Sequence, residues 1–287
     1  MNGRQRESYW NEYRQLHKQS ENQHIKLINA ALQLQIKKFF EQVKTVGVNR
    51  ATVDTKPIKK ALRMIWRETS VKFGNHAYEN VKRQIGQKRF GYNERWSKII
   101  LYYFDRYGGK KIQDISDTTY ERIMMALGKG EAEGLSYSEI EKMMLGSQVT
   151  EARAGVIART ETNAAANFGM LIAANDLGIE VQKQWVTAKD ERVRKAHMIL
   201  DGDVVNIDGK FSNGMLFPSD PAGGPKEVIN CRCVLAFVPV LDDNGNPIAA
   251  NVGPKNGTQA TGNVRLVTRL LIELGIAEFI DNLISTE

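Results

Sequence analysis

Both cysteines of this chain stand in one tripeptide, Cys231-Arg232-Cys233, and one of its four histidines, His197, lies upstream of them in the same stretch. Imidazole and thiolate are the donors that a tetrahedral zinc ion prefers, so His197, Cys231 and Cys233 form a candidate metal set. A structural site wants four donors, and Asp190 or Asp201 would have to supply the last. The bland alternative is a pair of small buried thiols beside a histidine that ties down a turn. A disulfide within Cys-x-Cys is disfavoured on geometric grounds.

A second group is polar and charged: Arg159 and Glu161, then Trp185, Asp190, Arg194 and Asp201. On a helix Arg159 and Asn163 share a face while Glu161 points elsewhere. Arg159 with Glu161 suggests an active site transferring ADP-ribose, but no Gly-rich phosphate loop accompanies them. Asp190 with His197 suggests a nuclease centre, yet His17, His24 and His76 all lie far upstream, and such centres draw on further ligands. There is no Gly-x-Ser-x-Gly elbow and no Walker-type loop. The favoured expectation is structural. Arg159 or Glu161 pairs with the turn after Trp185, Asp190 caps a short helix over 191–200, and Asp201-Gly202 ends it. On that expectation there is no catalytic residue and no cofactor, zinc excepted.

These groups need elements to hold them. Ile25, Ile28, Leu32, Ile36, Phe39, Phe40 and Val43 recur at three and four residues and predict an amphipathic helix. Pro57 suits the first turn of the next, which carries Ile58, Leu62, Ile65, Trp66, Thr69 and Phe73. Trp96, Ile99, Ile100, Tyr103 and Phe104 predict a third, ended by Gly108-Gly109, with Asp117 capping a fourth through Leu127. Ser136 and Glu139 form a capping-box pattern. An alanine-rich helix over 149–177 follows, stopped by Gly178.

Strands are expected over 181–186, 203–207 and 233–240, the last limited by Pro239. Residues 241–262 read as a linker, and 263–287 as an amphipathic docking helix. The fold class is α+β. It has a helical front half over 1–147, then a small module with a short antiparallel sheet over 148–240.

The 287 residues suffice for one large domain or two smaller ones. No apolar run is long enough to span a membrane, and the first residues lack the apolar segment of a secretory signal. Two cysteines fit synthesis in a reducing cytoplasm. The net charge of +7 is asymmetric: residues 1–110 hold 23 Lys/Arg against 9 Asp/Glu, whereas 111–287 hold 17 against 24. The basic half is compatible with a phosphate backbone or an acidic partner, but its charges are interleaved with apolar residues rather than clustered.

From about 149 to 240 the sequence resembles the phage Mu protein F-like minor head, or head-morphogenesis, proteins of tailed phages. The matching pieces are Ala158-Arg159-Thr160-Glu161, Trp185 with Thr187 and Asp190, Arg192-Val193-Arg194 with His197, Leu200-Asp201-Gly202, Phe211, Pro218 and Asn230-Cys231-Arg232-Cys233. Some members carry Cys-x-x-Cys where Arg194 and His197 stand here, and a His at the position of Val228, so their four-ligand zinc site is reduced in this chain. The resemblance implies a low-copy structural protein made in the host bacterial cytoplasm. It would be incorporated during procapsid assembly and bound to the portal inside the head. Scaffold, capsid protein and packaged DNA would be its other neighbours, and no membrane is implied. The rival class is a toxin-like, nuclease or ADP-ribosyl-transferring enzyme centred on Arg159, Glu161, Asp190 and His197.

Overall fold

The computed structural model describes residues 1–86, 94–146 and 148–250. Five helices build the front of the molecule: α1 (Gly3–Val46), α2 (Lys56–Gln84), α3 (Glu94–Ala132), α4 (Tyr137–Leu145) and α5 (Gln148–Asn175). Then come strand β1 (Val181–Val186), helix α6 (Lys195–Ile199), strand β2 (Val204–Asn206), helix α7 (Gly224–Val228) and strand β3 (Val234–Pro239). The class is α+β, as expected. Among the described residues no helix is long and apolar enough to cross a membrane.

Local signals account for several helix ends. Asn2 and Gln5 form a capping box at the start of α1, and Ser136 and Glu139 form another at α4. Pro57 sits in the first turn of α2, where its missing N–H costs nothing. Gly178, with φ +70°, follows α5 in a conformation that a side chain would resist.

α1 is longer than its aliphatic stripe. Tyr9, Tyr13, His17, Ser20 and His24 continue the buried face toward the N-terminus. The expected break at Gly108-Gly109 does not occur, because α3 runs through both. Glycine inside a helix costs about 1 kcal/mol against alanine. Gly108 is placed where a Cβ would lie 2.9 Å from the Phe104 ring, and Phe104 and Ile112 on either side are buried. Packing of the continuous stripe therefore outweighs the local penalty. Asp117 lies inside α3 and accepts from Gln113, so it caps nothing.

β1 is the middle strand of a three-stranded antiparallel sheet, order β2-β1-β3, with Trp185 opposite Leu235 and Gln184 between Val204 and Ala236. α5 is the central rod. Its residues 160–175 are all buried, against α1, α2, α3 and β3. One hydrophobic cluster runs from Tyr9, Ile28 and Trp66 through Ala158 and Phe168 to Trp185, Cys233 and Phe237. The front half and the module from 148 therefore share one core, and no packing boundary falls at 147. A smaller cluster around Phe39, Phe40, Ile123 and Ile140 closes the far end of α1, α3 and α4.

The first ten residues beyond 240 are folded. Ile248 donates its N–H to Val240, Glu180 to Ile248 and Ala250 to Gly178, so this stretch turns back along the sheet. The remaining linker and the docking helix expected over 263–287 lie outside the described residues.

Candidate functional site

The turn before β3 gathers most of the singled-out residues. In extended chain, positions i and i+2 share a face and the one between faces away. Cys231 and Cys233 accordingly point inward at His197, while Arg232 points outward at Asp190. His197 Nδ1 lies 3.7 Å from Cys231 Sγ and 3.5 Å from Cys233 Sγ. Its Nε2 lies 2.7 Å from Glu227 Oε2. All three candidate ligands are buried, and their donor atoms lie within 4.8 Å of one another.

The Trp185 ring makes edge-to-face contacts with His197 and Phe211, its centroid 5.3 and 5.0 Å from theirs. The thiols titrate as a pair. Cys231 is lowered by the hydrogen bond from Cys233 and by His197, and its charge together with burial raises Cys233. Burial opposes charge on His197, but Cys231 and Glu227 outweigh it and raise its pKa.

These residues supply three of the four donors that a structural zinc ion takes. Zn–S near 2.3 Å and Zn–N near 2.0 Å in a tetrahedron require a nitrogen–sulfur edge of about 3.5 Å, close to the 3.7 and 3.5 Å found. One ring nitrogen facing the thiols and the other held by a carboxylate is also the arrangement that fixes a metal-binding imidazole. Asp190 and Asp201, the proposed fourth ligands, are engaged elsewhere. Asp190 holds Arg232 through both oxygens and accepts the Arg192 N–H. Asp201 accepts the N–H and hydroxyl of Thr187 at 2.9 and 3.1 Å and pairs with Arg6 at 3.2 Å.

Several expected roles change. Asp190 does not cap the short helix: α6 covers Lys195–Ile199, its N-cap is Arg194, and no side chain bonds that cap. The Asp190 carboxyl is instead lowered to about 2 by the Arg232 guanidinium. Arg194 reaches the Ile229 carbonyl. Arg159 does not meet the turn after Trp185. It binds Glu21 on α1 at 2.9 Å and the Asn230 side chain at 3.1 Å. Glu161 faces the other way, as the helical wheel requires, and accepts from Trp66 Nε1 at 2.9 Å and Lys111 Nζ at 3.0 Å. Arg159, Glu161, Asp190 and His197 therefore do not converge on one centre.

Glu227 and Asn167 escaped the sequence reading, and Asn163 was placed on the Arg159 face without a role. Glu227 had no signal beyond standing four residues before Cys231. Asn167 donates to the Cys233 carbonyl at 3.2 Å and accepts the Leu235 N–H at 2.8 Å, joining α5 to β3. Asn163 adds donations to Ser219 and Cys233 and takes the Tyr13 hydroxyl at 2.7 Å. Polar asparagines in an alanine-rich helix were the available clue, since buried amides need partners.

The fold and site define a helical scaffold carrying a small cross-braced α+β block around a buried His-Cys-Cys cluster. Residues 121–236 match the family described as Phage Mu protein F like protein, so this part of the chain is Mu F-like, as the resemblance implied. The chain is 31% identical over 122 residues to the Minor head protein GP7 of Bacillus phage SPP1, covering 40% of each chain. It is 31% identical over 136 residues to the NAD(+)--arginine ADP-ribosyltransferase EFV of Enterococcus faecalis (strain ATCC 700802 / V583), covering 43% of this chain and 27% of that one. It is 30% identical over 142 residues to the uncharacterized protein YqbB of Bacillus subtilis (strain 168), covering 46% of each. The chain thus spans less than half the length of these curated relatives. No solved structure matches it. The likeness to the phage Mu F family thus covers the end of α3, then α4, α5 and most of the small sheet, and a phage minor head protein is among the relatives.

Proposed function

We propose that this chain is a non-enzymatic minor head protein of a tailed phage or prophage. It is bound to the portal inside the capsid and acts in procapsid assembly and in packaging or ejection of DNA. The observation that carries the reading is the Mu F-like match over residues 121–236, with a minor head protein among the relatives. The interior of the block supports it. Glu161 is 4% exposed and His197 1% exposed, each tied to partners, which suits bracing better than turnover. Copies of the chain are expected to co-purify with portal rings assembled in its presence. They should also appear in procapsids carrying Glu161→Ala or His197→Ala proteins that still fold. Procapsids of normal composition that exclude the wild-type chain would end the proposal.

The ADP-ribosyltransferase name of one relative favours a second reading, an enzyme, although the match covers only 27% of that protein. Consumption of NAD by the purified chain, abolished by Glu161→Ala, would establish it.

Zinc belongs to the same proposal, as a brace of the block. His197, Cys231 and Cys233 hold it, and Glu227 orients the imidazole. Because ligand deprotonation and folding are linked to binding, the purified chain is expected to carry about one equivalent of zinc. Cys231→Ser should lose it and melt at lower temperature. A metal-free chain that melts no lower on chelation would remove zinc from the account.

A further inference from the structure

Where α1 meets the block, a cleft of about 640 Å³ opens beside the His-Cys-Cys cluster without including it. Arg14, Lys18, Arg159, Arg192 and Arg232 line it, against the two carboxylates of Glu21 and Asp190. Both carboxylates are engaged. Glu21 takes Arg159 at 2.9 Å and His17 at 3.4 Å, and this pairing keeps its pKa below the usual range although burial opposes it. Asp190 takes Arg232 through both oxygens.

Arg159 and Arg232 are therefore held in fixed orientations at the cleft. Arg159 is held further by Asn230, whose backbone takes φ +58° and donates its N–H to Thr160. Arg14 and Lys18 are different. They stand one turn apart on the exposed face of α1 and have no carboxylate partner among the described residues. The Arg14 guanidinium lies over the Trp10 ring, 5.2 Å from its centroid.

A concave site with surplus positive charge focuses its field on anions. Guanidinium groups match phosphate oxygens in a planar fork, and groups fixed in advance lose little entropy on binding. The volume falls in the range of small-ligand sites. We infer that this cleft binds a phosphate-bearing ligand, with Arg14 and Lys18 as its free anion-binding groups and Arg159 and Arg232 as its fixed wall. A nucleic-acid backbone and the diphosphate of a nucleotide both present this chemistry. The inference goes beyond the head-protein reading and does not depend on it.

The test uses the full chain in solution. Fluorescence anisotropy follows labelled single-stranded and duplex oligonucleotides, and calorimetry follows ADP. For the oligonucleotides, Arg14→Gln/Lys18→Gln is expected to weaken binding about tenfold and to flatten the slope of log K against log salt by about two. If ADP binds and the oligonucleotides do not, the ligand is a free nucleotide, and the same double variant should weaken ADP by a similar factor. Lys59→Gln/Lys60→Gln, on the exposed face of α2 away from the cleft, serves as control. Absence of binding by all probes at low salt overturns the inference, as does an equal loss in the control. Neither result bears on incorporation into procapsids.

Discussion

Gly169→Ala is expected to destabilise the protein severely. A Cβ on Gly169 would lie 2.2 Å from the Ser70 carbonyl oxygen and 2.4 Å from its Cα, and both are backbone atoms that no rotamer change can move. The opposing Gly74 would bring a Cβ to 3.0 Å from the Gly169 carbonyl, so α2 and α5 cross with their backbones nearly touching. Relief requires the helices to separate. That would open the layer holding Phe73, Ala77, Phe168 and Ala173, all buried. Overpacking that cannot relax costs roughly 3 kcal/mol and more, a large part of the about 5–15 kcal/mol that holds a domain together. The exposed Gly109 on α3 is the contrast, since a Cβ there meets nothing within 4 Å. Gly109→Ala should stabilise by up to about 1 kcal/mol through helix propensity. Circular dichroism and thermal melts of the two variants check the pair. A Gly169→Ala protein that melts within a few degrees of wild type would mean that the crossing is looser than described.

Lys183→Met is expected to have the opposite sign and to change how stability responds to pH. Lys183 sits in the middle strand, fully buried, with no hydrogen-bond partner for its Nζ among the described residues and the Phe211 ring 5.5 Å away. Burial lowers its pKa to about 7, with the charges of Asp208 and Asp220 pulling the other way. The unfolded chain holds this proton up to a pKa near 10.4. Between pH 7 and 10 the unfolded state therefore binds more protons than the folded one, and stability rises with pH across that window. Below pH 7 the amine is charged in both states and the penalty is full. Methionine fills similar volume with no charge. At pH 6–7 the substitution should stabilise by roughly 2–4 kcal/mol, and the rise between pH 7 and 10 should flatten. Melting temperature against pH for both proteins reads this directly. A Met variant that is less stable, or one with an unchanged slope, would show that the ammonium has a partner of its own.

Some of this molecule was legible in its residues, because certain signals act within a few positions of the chain. The Ser136/Glu139 box, Pro57 and Gly178 set helix ends through backbone geometry at their own sites. The stripe from Ile25 to Val43, the alanine-rich rod and the strands over 181–186 and 233–240 follow from periodicity. The His-Cys-Cys set was visible as donor chemistry, since zinc-type ligands are few in the chain. The first turns of α1 were harder to read, because Tyr9, Tyr13, His17 and His24 pack as core while looking polar.

Tertiary structure alone decided the rest. Gly108-Gly109 reads as a stop until Phe104 is seen to need the missing Cβ. Arg159 finds Glu21, and Glu161 finds Trp66 and Lys111, across long stretches of sequence. Glu227 behind His197, and Arg232 turned out toward Asp190, belong to the same class. Such pairings depend on the angle at which separate elements pack, and burial, charge and contact distance at that crossing are properties of the assembled core rather than of any local run of residues.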